Sequence, residues 1–189
     1  MKLTDEQEAF LQKLASGGAA EARRNNLPVS AMLACACQET SFGTHGVFLQ
    51  TNNPFHLQKW PWVLYPTSAG SLRIRTNVAP PGVPEVWRVT FFNTAPDLPD
   101  AVRQWCEWIL HYGEADGPPG NENPHFKQVA VPAAKAKRDR LLALRDKPVE
   151  FADNLLLVGF GNSVQSHLYS KCITDNSLTR FDDPLYSQF

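Results

Sequence analysis

Glu39 is the residue whose type and position best suit it to chemistry. It is the first acid after a long apolar stretch, and Thr40, Ser41, Phe42 and Gly43 follow it directly. A carboxyl at the end of an apolar helix is partly desolvated, which favours its protonated form, and that is the state from which a general acid acts. The alternative is a solvated acid in the last turn of an ordinary helix. The five histidines, His45, His56, His111, His125 and His167, show no metal-ligand spacing, and no metal or other cofactor is expected. Cys35, Cys37, Cys106 and Cys172 lack zinc or redox spacing. Cys35 and Cys37 face different ways on one predicted helix, so buried free thiols are expected, with a bridge from Cys106 or Cys172 left open.

The helix that must present Glu39 starts near Pro28, a residue suited to a first helical turn, and places Leu33, Ala36 and Cys37 on one side. Its small residues Ala31, Ala34, Cys35 and Ala36 allow close approach by neighbouring helices. Before it, Thr4 and Gln7 fit a capping box for a first helix expected to end at Gly17-Gly18. From Trp60 to Asn93 prolines and β-branched residues dominate. Two strand-like runs flank a turn at Ala79-Pro-Pro-Gly82, and Trp60, Trp62, Tyr65 and Trp87 supply aromatic faces that stack on sugar rings or pack the lobe. Asp97 or Asp100 then caps a helix through His111. A basic run with Lys135, Lys137, Arg138 and Arg140 reads as a solvated helix face, Pro148 opens another helix, and a last one runs from about Ser163 to Asn176.

Two blocks, Glu39-Thr-Ser-Phe-Gly43 and Asn52-Asn-Pro-Phe-His-Leu-Gln58, resemble the signature of the glucosaminidase family of peptidoglycan hydrolases, which includes flagellar wall hydrolases and autolysins. Ser41 and Phe42 stand where that family has Gly and Trp, and Pro54, His56 and Gln58 depart from its second block. Looser likeness continues through Asn123-Pro-His-Phe126 and Gly159-Phe-Gly-Asn162. The resemblance implies an α+β, mainly α, lysozyme-like fold in a single catalytic domain over 1–189, with a helical core at 1–58 and 96–180 and a β-rich lobe at about 59–95. It implies Glu39 as proton donor and a second carboxylate from the lobe, where Glu85 is the only acid between Glu39 and Asp97. Phe42, Asn53, Phe55 and Phe160, with Trp60 and Trp62, are then the substrate-binding candidates.

The implied activity is cleavage of a β-1,4 bond of the glycan strand, as an endo-β-N-acetylglucosaminidase. The second group would be a base for water, a nucleophile, or the substrate's own acetamido group. A lytic transglycosylase or muramidase on the same scaffold, and a non-catalytic wall-binding module, are the alternatives. A net charge of −1 gives no basic surface for nucleic acid, and no apolar run is long enough to cross a membrane. The expected partner is peptidoglycan, met by a monomer. The N-terminus lacks the apolar core of a secretory signal, so export by a dedicated apparatus is expected, with a phage lysin as the alternative. Analogy with type VI secretion effectors adds an immunity protein that covers Glu39.

Overall fold

The computed structural model describes residues 3–57, 70–77, 87–113, 131–160 and 163–185. It is mainly helical with one small sheet, an α+β arrangement dominated by helix. Seven α-helices are described: α1 (Asp5–Arg24), α2 (Val29–Thr40), α3 (Gly46–Thr51), α4 (Leu98–His111), α5 (Val131–Leu142), α6 (Pro148–Asp153) and α7 (Ser163–Asp175). Short 3₁₀ helices cover Leu155–Val158 and Leu178–Asp182. Between α3 and α4, strands β1 (Gly70–Asn77) and β2 (Trp87–Thr94) pair antiparallel, with Leu72 opposite Phe92 and Ile74 opposite Thr90.

Helix α2 is the centre of the molecule. Every residue from Val29 to Cys37 is buried, and α1, α6, α7 and the Leu178–Asp182 turn pack around it. The one-sided stripe expected from sequence is therefore corrected: a helix enclosed on all sides has no polar face, and its alanines and cysteines let neighbours close in. The start of α2 is also tied down, since Ser30 N and Oγ both donate to the Asp182 carboxylate, at 2.8 and 2.6 Å.

Helix α1 begins on the expected capping box, Gln7 N donating to Thr4 Oγ1 and Thr4 N to Gln7 Oε1. It does not end at Gly17-Gly18 but runs on to Arg24. The glycines serve packing rather than termination: a Cβ on Gly18 would lie 2.4 Å from Val102 Cγ2, so their absence of a side chain lets α4 cross closely. On α4, Asp97 accepts from Asp100 N at 2.8 Å as cap, and Ala101, Val102, Trp105, Cys106 and Ile109 form the buried stripe.

The sheet joins the helical body through α3. Val47, Ile74 and Phe92 form a small apolar cluster, while Asn93 N donates to Leu57 O and Ala95 N to Thr51 O. On α5, Lys135, Lys137 and Arg140 face solvent as expected. Arg138 does not: it is buried and donates to Leu110 O at 3.0 Å, a carbonyl left over at the end of α4. The expected turn at residues 79–82 and the segment 123–126 lie outside the described residues.

Candidate active site

Glu39 occupies the last turn of α2, and its side chain is 18% exposed. The chain turns sharply just beyond it. Thr40 is buried, donates to Ala36 O at 2.6 Å and accepts from Gly43 N at 2.8 Å. Ser41, Phe42 and Gly43 then take φ values of 48°, 56° and 85°, three successive left-handed residues. Such a conformation costs about 1–2 kcal/mol for a residue with a Cβ, so this turn is a rigid and costly way to end a helix. A Cβ on Gly43 would lie 2.5 Å from Phe10 Cδ2. Gly43→Ala is therefore expected to lower stability by about 1–3 kcal/mol, from left-handed strain and displacement of the Phe10 ring. A urea unfolding curve with an unchanged midpoint would contradict that.

Both oxygens of the Glu39 carboxyl have a neighbour. The Tyr169 hydroxyl, from the buried face of α7, donates to Oε1 in a short hydrogen bond. His56 Nδ1 lies 3.6 Å from Oε2. Burial, followed by the proximity of Cys35 and Glu39, holds the Tyr169 phenol far above the usual tyrosine range, so it stays a neutral donor. Beneath them, the Cys35 thiol sits against Tyr169 and Trp105. Its ionisation is pushed well up, first by burial and then by Glu39. The His45 and His56 rings meet at a tilt of 49°, with centroids 4.7 Å apart. Burial holds His45 below the usual histidine range; a charge on His56 would push the same way, and Glu39 acts in the opposite direction.

Tyr169→Phe tests the first of these contacts. Loss of a donor to a largely buried carboxyl is worth about 1–3 kcal/mol, so a reaction that uses Glu39 should slow by about 5- to 100-fold. Initial-rate kinetics check this, and equality with wild type would mean the hydroxyl plays no part.

The other sequence candidates fall into distinct places. Asn53 is fully buried and ties the loop together: its Nδ2 donates to Leu57 O and Asn93 O, and its Oδ1 accepts from Phe55 N. Phe55 stacks on Trp105 at 5.6 Å, and Phe160 is buried against Trp105 and Trp108. Phe42 is half-buried on the edge of the core. Glu85, Trp60 and Trp62 lie outside the described residues. All four cysteines are free and buried. Hydrogen bonding with Cys37 pulls the Cys172 thiol down to about 7, against its burial. A separate pocket lined by Arg23, Leu27, Arg145 and Asp182 shares no residue with the Glu39 group. Among the described residues, no group of three His, Cys, Asp or Glu could hold a metal ion.

Sequence reading picked Glu39 but not Tyr169 as its partner, because the two are 130 positions apart and only tertiary packing joins them. His56 was visible as a departure from a motif, with no local signal that its ring meets Glu39.

The fold is similar to three solved structures of bacterial wall-lytic proteins. The catalytic domain of the autolysin Auto from Listeria monocytogenes matches with a TM-score of 0.62 at 13% identity, over 96% of this chain and 90% of that one. A structure of N-acetylmuramoyl-L-alanine amidase from Staphylococcus aureus matches with a TM-score of 0.64 at 16% identity, over 96% of this chain but 44% of that one. A peptidoglycan hydrolase mutant from Sphingomonas sp. A1 matches with a TM-score of 0.56 at 16% identity, over 92% and 97%. No family model and no curated protein matches the sequence. The assignment to the glucosaminidase family is accordingly corrected: these structural neighbours are an autolysin, an amidase and a peptidoglycan hydrolase, and they do not place the chain in that family. The reason is physical. The two blocks that suggested the family are largely backbone devices, since Ser41, Phe42, Gly43, Asn52 and His56 are all left-handed and Asn53 is a loop tie, so they record turns rather than a substrate. What these likenesses establish is the fold, shared with peptidoglycan hydrolases.

Proposed function

We propose that this chain hydrolyses peptidoglycan, and that it cuts a β-1,4 bond of the glycan strand with Glu39 as proton donor. The observation that carries the reading is the Glu39 carboxyl itself. It is largely enclosed, held at one oxygen by the Tyr169 hydroxyl and faced at the other by His56, on a fold shared with peptidoglycan hydrolases. Glycoside cleavage needs an acid placed to protonate a departing oxygen, together with a base, nucleophile or substrate acetamide. Glu85 stays the candidate second carboxylate. Delivery to the wall by a dedicated apparatus, and an inhibitor that covers Glu39, belong to the same reading.

A second reading is hydrolysis of the amide that joins the glycan to its stem peptide. It is favoured by the likeness to the S. aureus amidase, of which the matched part is 44%. Digestion of purified peptidoglycan, followed by mass spectrometry of the products, separates the two. New reducing sugar ends support glycan cleavage, and the terminal sugar identifies the linkage. Free stem peptides with intact strands would move the activity to the amide. Anhydro-muramyl ends would make it a transglycosylase, and well-folded protein with no products would leave a wall-binding module.

A further inference from the structure

His56 is an unusual residue for its setting. It is not glycine, yet its φ is 48°, in the left-handed region, and its side chain is only 15% exposed. The ring is pressed between the His45 ring and the edge of Phe92, with centroids 4.7 and 6.2 Å away. Its Nδ1 faces Glu39 Oε2 at 3.6 Å, while its Nε2 is buried with no hydrogen-bond partner among the described residues. A left-handed backbone and an orphaned buried nitrogen both cost stability, and features of this kind cluster at functional sites.

The orphaned nitrogen also limits which form of the ring fits. An imidazolium, or the neutral form protonated at Nε2, would bury an N–H with nothing among the described residues to accept it. The neutral form protonated at Nδ1 leaves only a lone pair unmet at Nε2 and turns an N–H toward Oε2 of the Glu39 carboxyl. Among the other described titratable groups around this point, Cys35 is held as a neutral thiol by its burial, and the rest have contacts of their own. His45 Nδ1 accepts from Val47 N at 3.3 Å, as the cap of α3, and Tyr169 already occupies Oε1. From β2 the described neighbour is Phe92, which carries no charge.

We propose that His56 is a positioning residue for Glu39: the neutral imidazole presents Nδ1–H to Oε2, opposite the Tyr169 hydroxyl on Oε1, so that the carboxyl is gripped at both oxygens. At 3.6 Å the contact is longer than a hydrogen bond. Catalytic contacts of this length tighten when substrate excludes water. The role in turnover rests on the hydrolase reading above; the tautomer does not.

Two variants test the role in turnover. Gly and Asn both accept a left-handed backbone, so His56→Gly and His56→Asn should fold, but only Asn can return an N–H toward Glu39. His56→Gly is expected to lower kcat by about 10-fold with KM nearly unchanged, and His56→Asn to recover most of that loss. Equal losses in the two variants, or a loss confined to KM, would overturn the positioning role. NMR of the imidazole nitrogens provides a readout independent of activity. Wild type is expected to show the Nδ1–H tautomer at His56, and Glu39→Ala to abolish that preference. An Nε2–H ring in wild type, or a signature indifferent to Glu39→Ala, would overturn the assignment. If the tautomer is found but no peptidoglycan is cut, the hydrolase reading falls and the contact stands.

Discussion

Glu39→Gln is expected to fold like wild type and to lose peptidoglycan cleavage by about 10²- to 10⁴-fold, the span that a positioned general acid contributes. The substitution keeps the shape of the side chain. The amide oxygen can still accept from the Tyr169 hydroxyl, so the contact between α2 and α7 survives, while the amide NH₂ meets His56 Nδ1 and should lower stability by no more than about 1–3 kcal/mol. What is lost is a proton the side chain can give away. Because binding surfaces are untouched, the fall should appear in kcat and kcat/KM together, with KM nearly constant. Wild-type rates in Glu39→Gln would remove Glu39 from the chemistry, whichever bond is cut. The combination with Tyr169→Phe sharpens the test. If the tyrosine acts only through Glu39, adding it to Glu39→Gln should cost little more, whereas separate roles would multiply.

Some of this was legible in the sequence and some was not, and the division follows the range of the interactions. The cap of α1 by Thr4 and Gln7 and the start of α6 at Pro148 are local signals that stand in the structure as read, and of the two caps read for α4, Asp97 or Asp100, the structure has Asp97. Gly17-Gly18 misled because glycine marks both helix ends and close helix crossings. Only the position of Val102 on α4, far along the chain, decides between them. The one-sided burial expected of α2 failed for a related reason: an apolar helix says that it is buried, but not by how many neighbours. At the site, Glu39 was visible as an acid at the end of an apolar run. Its setting was not, because Tyr169 and Cys35 meet beside it through the packing of α7 on α2, and His56 through a left-handed turn that the local sequence does not announce. The family suggested by the two blocks failed because those blocks encode turn geometry, which unrelated specificities can share.

Trp105→Ala should be the most destabilising single truncation near the site. The indole is fully buried on α4, stacked on Phe55 at 5.6 Å and set against Phe160 at 6.3 Å, with the Cys35 thiol beside it. Removing a buried aromatic ring costs about 3–5 kcal/mol in lost burial and residual cavity. Against a typical total stability of about 5–15 kcal/mol, that is a large share. The damage should also reach the site. Phe55 immediately precedes His56, and the ring of Trp105 is the floor on which Phe55 rests, so the Asn52–Leu57 loop loses its aromatic anchor and keeps its hydrogen bonds through Asn52, Asn53 and Leu57. Urea unfolding of Trp105→Ala should show a strongly lowered midpoint at similar slope, and the folded fraction should be less active than wild type at equal concentration. Leu49→Ala is the control: this side chain is 69% exposed, and its loss should change stability by less than about 0.5 kcal/mol. A Trp105→Ala midpoint as little changed as that of the control would mean that the ring does not support the core. Normal activity per folded molecule would mean that His56 keeps its place without the floor beneath Phe55.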